Sequence, residues 1–152
     1  MTTVLRKVGE RELHAISLVT EAADTPLPPF MGREATPSTS DLRNAIIAGR
    51  VWVLAVPGRI DGYLLAYARA REFVVEAMVV DRKAANQGVG DRLLTGAEFL
   101  ARQQRCQRIL LNITTRIEQV LSRNRHAGYA PLRDQAEREG LRDYWVKALK
   151  AH

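Results

Sequence analysis

The sequence predicts a single α/β domain over residues 1–152, and three observations carry that prediction. Short apolar stretches alternate with stretches of helical period along the chain. Hairpin signals stand at Pro57–Gly58–Arg59–Ile60–Asp61–Gly62 and around Glu137–Gly140. Between them, strand, glycine turn, helix and second strand follow one another as a crossover does.

Taken in order, Thr2–Val8 reads as a first strand and Gly9–Ala23 as a helix, with Leu13, Ile16 and Thr20 at helical spacing. Thr25–Pro37 holds Pro26, Pro28, Pro29 and Pro37, which lack an N–H and fix φ, so it reads as a long loop. Ser38 or Ser40 caps a second helix carrying Leu42, Ala45 and Ile46, and Gly49 stops it. Val51–Val56 and Tyr63–Arg69 are the two strands of a hairpin. Phe73–Val80, almost wholly apolar, reads as a strand buried on both faces. Val89–Gln103 is a helix with Val89, Leu93, Ala97 and Leu100 on one side. Arg108–Ile113 is a strand. Arg116–His126 is a helix ended by Gly128, with Ile117, Val120 and Leu121 turned inward. Tyr129–Gln135 and Leu141–Leu149 close the fold as a hairpin.

Composition narrows the function. Hydrophobic residues make up 46% and charged residues 26%, an ordinary balance for a globular domain. No apolar run approaches the ~20 residues of a membrane helix, and the first residues lack a signal peptide's apolar stretch. Cys106 is the single cysteine, which excludes an intrachain disulfide and fits a cytoplasmic location. The net charge of +6 invites a nucleic-acid reading. Against it, the arginines are scattered and no aromatic residues interleave with them, so nucleic acid is not the expected partner. His14, His126 and His152 have no metal-ligand spacing with Cys106, so no metal is expected.

The chemistry gathers around Val79–Val80–Asp81–Arg82–Lys83–Ala84–Ala85–Asn86–Gln87–Gly88–Val89–Gly90, continued by Asp91–Arg92–Leu93–Leu94. An apolar strand runs into a polar loop, two glycines frame a valine, and a helix starts. The first N–H groups of a helix have no partner inside it and carry the positive end of the peptide dipoles. Glycine there lets a phosphate rest on the backbone, so the segment reads as an anion cradle. A tight turn is the plainer alternative. The Lys-Ser/Thr of a nucleotide-hydrolysing loop and the third glycine of a dinucleotide fingerprint are both missing.

Gly88–Val89–Gly90 after Met78–Val79–Val80, the preceding hairpin and His126–Ala127–Gly128–Tyr129 resemble the GNAT superfamily of acyl-CoA-dependent N-acyltransferases. The resemblance implies a mixed, mostly antiparallel central sheet flanked by about four helices. It also implies acetyl-CoA as cofactor and an amine as acceptor, attacked directly at the thioester. A catalytically weak or inactive GNAT-fold module that binds acyl-CoA, a protein or a nucleic acid is the alternative, and pairing into a homodimer fits the family. By the same resemblance Met78, Val79 and Val80 pair with the pantetheine arm, a backbone N–H near Val79 meets the oxyanion, and Ala85, Asn86, Gln87, Gly88, Val89, Gly90, Asp91 and Arg92 surround the diphosphate. Three positions depart from the pattern, one of them Asn86, which replaces a common glycine. Ala85 stands where Arg or Gln is usual, and Asn124 stands in place of a tyrosine near the cofactor sulfur.

An alkyl amine with a pKa of about 10 is mostly ammonium at neutral pH, so a base must take its proton. Glu76 is the only charged residue within Phe73–Val80 and is the candidate base, acting directly or through water. An arginine partner and a purely structural role are the competing reading. Tyr129, Ser122 or water could return a proton to the thiolate. Tyr144 and Trp145 read as packing residues.

Overall fold

The computed structural model describes residues 4–22, 38–84, 87–112, 118–132 and 144–150. Strands β1 (Val4–Lys7), β2 (Val51–Val56), β3 (Arg59–Arg69), β4 (Glu72–Val80), β5 (Arg108–Asn112), β6 (Ala130–Pro131) and β7 (Tyr144–Ala148) form one sheet. Their order is β1-β2-β3-β4-β5-β7-β6, and every neighbouring pair is antiparallel except β4 with β5. Helices α1 (Leu13–Glu21), α2 (Thr39–Ile47), α3 (Val89–Gln103) and α4 (Glu118–His126) complete the fold.

Period-two alternation sends side chains to two cores. Ile16, Val19, Leu42 and Ile46 of α1 and α2 pack on Val51, Val53, Tyr63, Leu65, Ala77 and Val79. On the other face Val89, Leu93, Ala97, Leu100 and Ala101 of α3 cover Leu54, Leu64, Phe73, Val75, Ile109 and Leu111. The two sides of the sheet are therefore built separately, and β4 contributes to both.

Local chemistry sets the boundaries. Ser38 caps α2, accepting from Asp41 N at 3.0 Å while Asp41 accepts from Ser38 N at 3.2 Å. The hairpin turn is only Pro57–Gly58, with Gly58 at φ +85°, so β3 begins at Arg59 rather than at Tyr63. The first helix starts as a 3₁₀ turn at Glu10–Glu12 before α1. Of the expected strand Tyr129–Gln135, Ala130–Pro131 pairs with β7 at the sheet edge, where a proline lacking its N–H is tolerated. Leu132 N donates to Tyr144 O at 3.0 Å, and residues 133–135 lie outside the described residues. The proline-rich loop, Ile117 and the turn around Glu137–Gly140 lie outside the described residues. No described helix is long and apolar enough to cross a membrane.

Candidate active site

The parallel pair β4–β5 ends early. Its register runs Glu72↔Arg108, Phe73↔Ile109, Val74↔Leu110 and Val75↔Leu111, and stops there. From Ala77 to Val80 the β5-facing edge of β4 has no strand partner among the described residues. Asn112 Nδ2 closes the last rung by donating to the Glu76 carbonyl at 3.3 Å. Among the described residues the backbone beyond this point has donors and acceptors with no strand partner, which an extended ligand can join like an added strand.

Glu76 sits at the head of that fork for a geometric reason. Leu65 pairs with Ala77 and Ala66 with Val75, so Glu76 is the extra residue of a β-bulge. A bulge breaks the alternation and re-aims a side chain. Before the bulge Phe73 and Val75 face α3, while Val74 and Glu76 share the side that holds Tyr67 and Tyr144. Beyond it the parity reverses, so Ala77 and Val79 point away from α3 and Met78 and Val80 toward it. Tyr67 Oη donates to Glu76 Oε1 at 3.1 Å and Tyr144 Oη to Oε2 at 2.5 Å. Burial first, then the Glu76 carboxylate, raises both phenols above the ordinary tyrosine range, which keeps them as donors at neutral pH. The Arg50 guanidinium lies 4.4 Å from the centre of the Tyr67 ring. Among the described residues Glu76 is thus held by two phenols and not by an arginine, and Tyr144 is a partner of the candidate base rather than packing alone.

The other end of the fork meets the start of α3. Gly88 caps it in the left-handed region, φ +76°, and the first helical bond runs from Arg92 N to Gly88 O. The amides of Val89, Gly90 and Asp91 therefore have no acceptor inside the helix. Val89 is buried in the core, which fixes the helix entry. A Cβ added at Gly90 would lie 2.8 Å from Arg123 Nη1, and one added at Gly88 would lie 3.8 Å from Arg92 Nη1. Two guanidinium groups thus flank the glycines. Asp91 is turned toward Arg123, Oδ1 to Nε 3.9 Å. Gln87 donates weakly to Lys83 O at 3.4 Å, and Ala85 and Asn86 lie outside the described residues.

From Glu76 to Val80 is four strand residues, roughly 13 Å. The arrangement suits an elongated ligand with an anionic group at α3 and its reacting group beside Glu76.

The sequence profile of the acetyltransferase (GNAT) family matches residues 20–129, well over half of the chain. The chain belongs to this family. No curated protein sequence matches it. Solved structures agree on the fold at low identity. The PaiA N-acetyltransferase from Thermoplasma acidophilum, in complex with coenzyme A, superimposes with a TM-score of 0.76 at 13% identity, covering 98% of this chain and 100% of that one. The ribosomal-protein-S18-alanine N-acetyltransferase from Escherichia coli gives 0.75 at 12% identity, covering 99% and 96%. The N-acetylglutamate synthase from Neisseria gonorrhoeae, complexed with coenzyme A and N-acetyl-glutamate, gives 0.71 at 18% identity, covering 99% of this chain but 36% of that one.

Within this GNAT fold the expected residues separate into two groups. Glu76, Met78, Val79, Val80, Gly88, Val89, Gly90, Asp91 and Arg92 line the fork or the start of α3, with Val79 buried and Met78 and Val80 half-buried. Asn124 is buried on α4, 5% exposed, and its carbonyl accepts from Tyr129 N. Tyr129 goes elsewhere. Its hydroxyl donates to Glu98 Oε2 at 3.1 Å within the α3-side core, and Lys147 Nζ donates to Glu98 Oε1 at 3.0 Å. The Tyr129 hydroxyl and the Glu76 carboxylate are thus held by different partners, Glu98 for the first and the phenols of Tyr67 and Tyr144 for the second. Sequence reading missed Tyr144, Tyr67 and Arg123. The hairpin register gives a signal for Tyr67, since Tyr67↔Val74 makes Glu76 its diagonal neighbour.

Proposed function

We propose that this GNAT domain transfers an acetyl group from acetyl-CoA to a primary amine, with Glu76 as the base. The observation that carries the reading is the bulged Glu76, held by two phenols where β4 and β5 part. The residues present fit coenzyme A. A free strand edge can pair with a pantetheine arm, and the glycine-framed start of α3 can take a diphosphate on its amides.

The chain's residues then divide the work. Each Glu76 oxygen uses one lone pair for a phenol and keeps another open, so the carboxylate stays aimed while it accepts the ammonium proton. The freed amine attacks the acyl carbon, the new C–N bond forms, and the C–S bond breaks. A backbone N–H of the unpaired edge near Val79 meets the carbonyl oxygen as negative charge develops on it. With Asn124 in place of a phenol and Tyr129 tied to Glu98, water relays the second proton of the attacking nitrogen to the departing thiolate, so that the amide and the free thiol leave together.

Calorimetric titration with acetyl-CoA, followed by a thiol-release assay over a panel of amines, tests the proposal. Saturable binding and amine-dependent thiol release are expected. No saturable heat at millimolar ligand removes the proposal, and binding without thiol release for any amine favours the non-catalytic module.

A further inference from the structure

Arg123 is an unusual neighbour for the start of a helix. The first turn of α3 presents the positive end of the helix dipole, where a cation is disfavoured and an anion favoured. Yet the Arg123 guanidinium lies against Gly90, with Nη1 where a Cβ would come within 2.8 Å. Glycine at position 90 is what makes room for it. Among the described residues the guanidinium makes no hydrogen bond, and its one ion pair is the 3.9 Å approach to Asp91, itself 69% exposed. Five N–H donors in a planar fork are thus held beside three helix amides with no acceptor inside the helix. The sequence has alanine, not arginine, at position 85.

We infer that Arg123 of α4 is a binding residue for the diphosphate of coenzyme A, completing from the side chain a clamp that the α3 amides begin from the backbone. The inference rests on the reading of this fold as an acetyl-CoA enzyme. A guanidinium matches two phosphate oxygens at once, and its charge makes the grip sensitive to salt. Asp91 and the diphosphate compete for the same group, so Asp91 sets how readily Arg123 is released.

Calorimetry with coenzyme A on the purified chain tests this with Arg123→Ala, Arg123→Lys and Asp91→Asn. Arg123→Ala weakens binding by about tenfold or more, the loss expected for a charge-assisted contact. Arg123→Lys recovers part of that loss, keeping the charge without the fork. Asp91→Asn tightens binding severalfold. Added salt weakens the wild-type protein more than Arg123→Ala. Saturable binding by the wild type together with equal affinity in Arg123→Ala overturns the role of Arg123 and leaves the enzymatic reading standing. No binding by the wild type overturns both. Should Arg123→Ala fail to fold, Asp91→Asn decides: unchanged or weaker affinity rejects the competition and the clamp with it.

Discussion

Tyr144 donates to Glu76 at 2.5 Å although their strands do not touch, because β5 runs between β4 and β7. The contact exists because β5 stops pairing with β4 at Val75, while its end, Asn112, still pairs with Tyr144. A side chain from the far strand can then reach over β5 to the bulge. A hydrogen bond to a charged group contributes about 1.5–3 kcal/mol. Tyr144→Phe is therefore expected to lower kcat roughly tenfold while leaving the affinity for coenzyme A unaltered. Steady-state kinetics with a saturating amine checks this. An unchanged kcat would return Tyr144 to packing.

Glu76→Gln keeps the size of the side chain and an oxygen for one phenol, but cannot take a proton. Turnover is expected to fall about a hundredfold or more, the ordinary range for loss of a general base, with coenzyme A binding retained. Thiol-release rates and calorimetry on the same preparation separate the two quantities. Turnover at the wild-type level clears Glu76 of the base role.

The reach of the sequence follows how local each feature is. β2 at Val51–Val56 and α3 at Val89–Gln103 match their readings residue for residue, because Pro57–Gly58 and the left-handed Gly88 mark those ends chemically. Glu76 was legible as a lone charge in an apolar strand, and Gly88–Val89–Gly90 as a strand-to-helix turn. The bulge that re-aims Glu76 leaves no mark in the pattern of apolar residues, since Val75 and Ala77 flank it on either parity. Tyr144 reaches Glu76 through the β4–β5–β7 strand order, and Arg123 reaches Gly90 through the docking of α4. Both are non-local facts, 68 residues of separation in the first case. The closing hairpin is met where it is described: Ala130 and Pro131 pair with Val146 and Trp145, and Leu132 N donates to Tyr144 O, while its turn lies outside the described residues.

Buried phenols make the fold sensitive to alkali. Tyr63 is fully buried under α1, shares a 2.7 Å hydrogen bond with Thr20, and has its pKa pushed up by burial to about 12. The folded value lies above the unfolded one. Its contribution is therefore complete below about pH 10 and is lost as pH rises through about 12. At about pH 11 Tyr63 alone removes roughly 1 kcal/mol, and the raised values of Tyr129 and Tyr144 act in the same direction. Tyr63→Phe removes this one linkage, and Thr20 Oγ1 keeps its 2.8 Å bond to Ile16 O. Urea denaturation at about pH 9 and about pH 11 is expected to show a fall in stability smaller by about 1 kcal/mol in the variant. Equal falls would place the alkaline loss elsewhere.

Two glycines with similarly short imagined contacts should behave in opposite ways. A Cβ at Gly62 would lie 2.7 Å from the backbone oxygen of Val79 and 3.1 Å from both Leu93 Cδ1 and Val89 Cγ1. The carbonyl belongs to a central strand between β3 and the fork, so it cannot yield without moving β4, and α3 closes the other side. Gly62→Ala is expected to cost about 1–3 kcal/mol, as overpacking does, and to weaken coenzyme A binding because the strand that moves is the free edge. A Cβ at Gly96 would lie 2.7 Å from Leu5 Cδ2, the tip of a half-buried side chain that can turn away. In the middle of α3 the exchange also recovers up to about 1 kcal/mol of helix propensity. Gly96→Ala is therefore expected to fall within about 0.5 kcal/mol of wild type by urea denaturation. If both variants lost stability alike, side-chain give at Leu5 could not be what distinguishes them, and the close seating of α3 on β1 would have to be rigid.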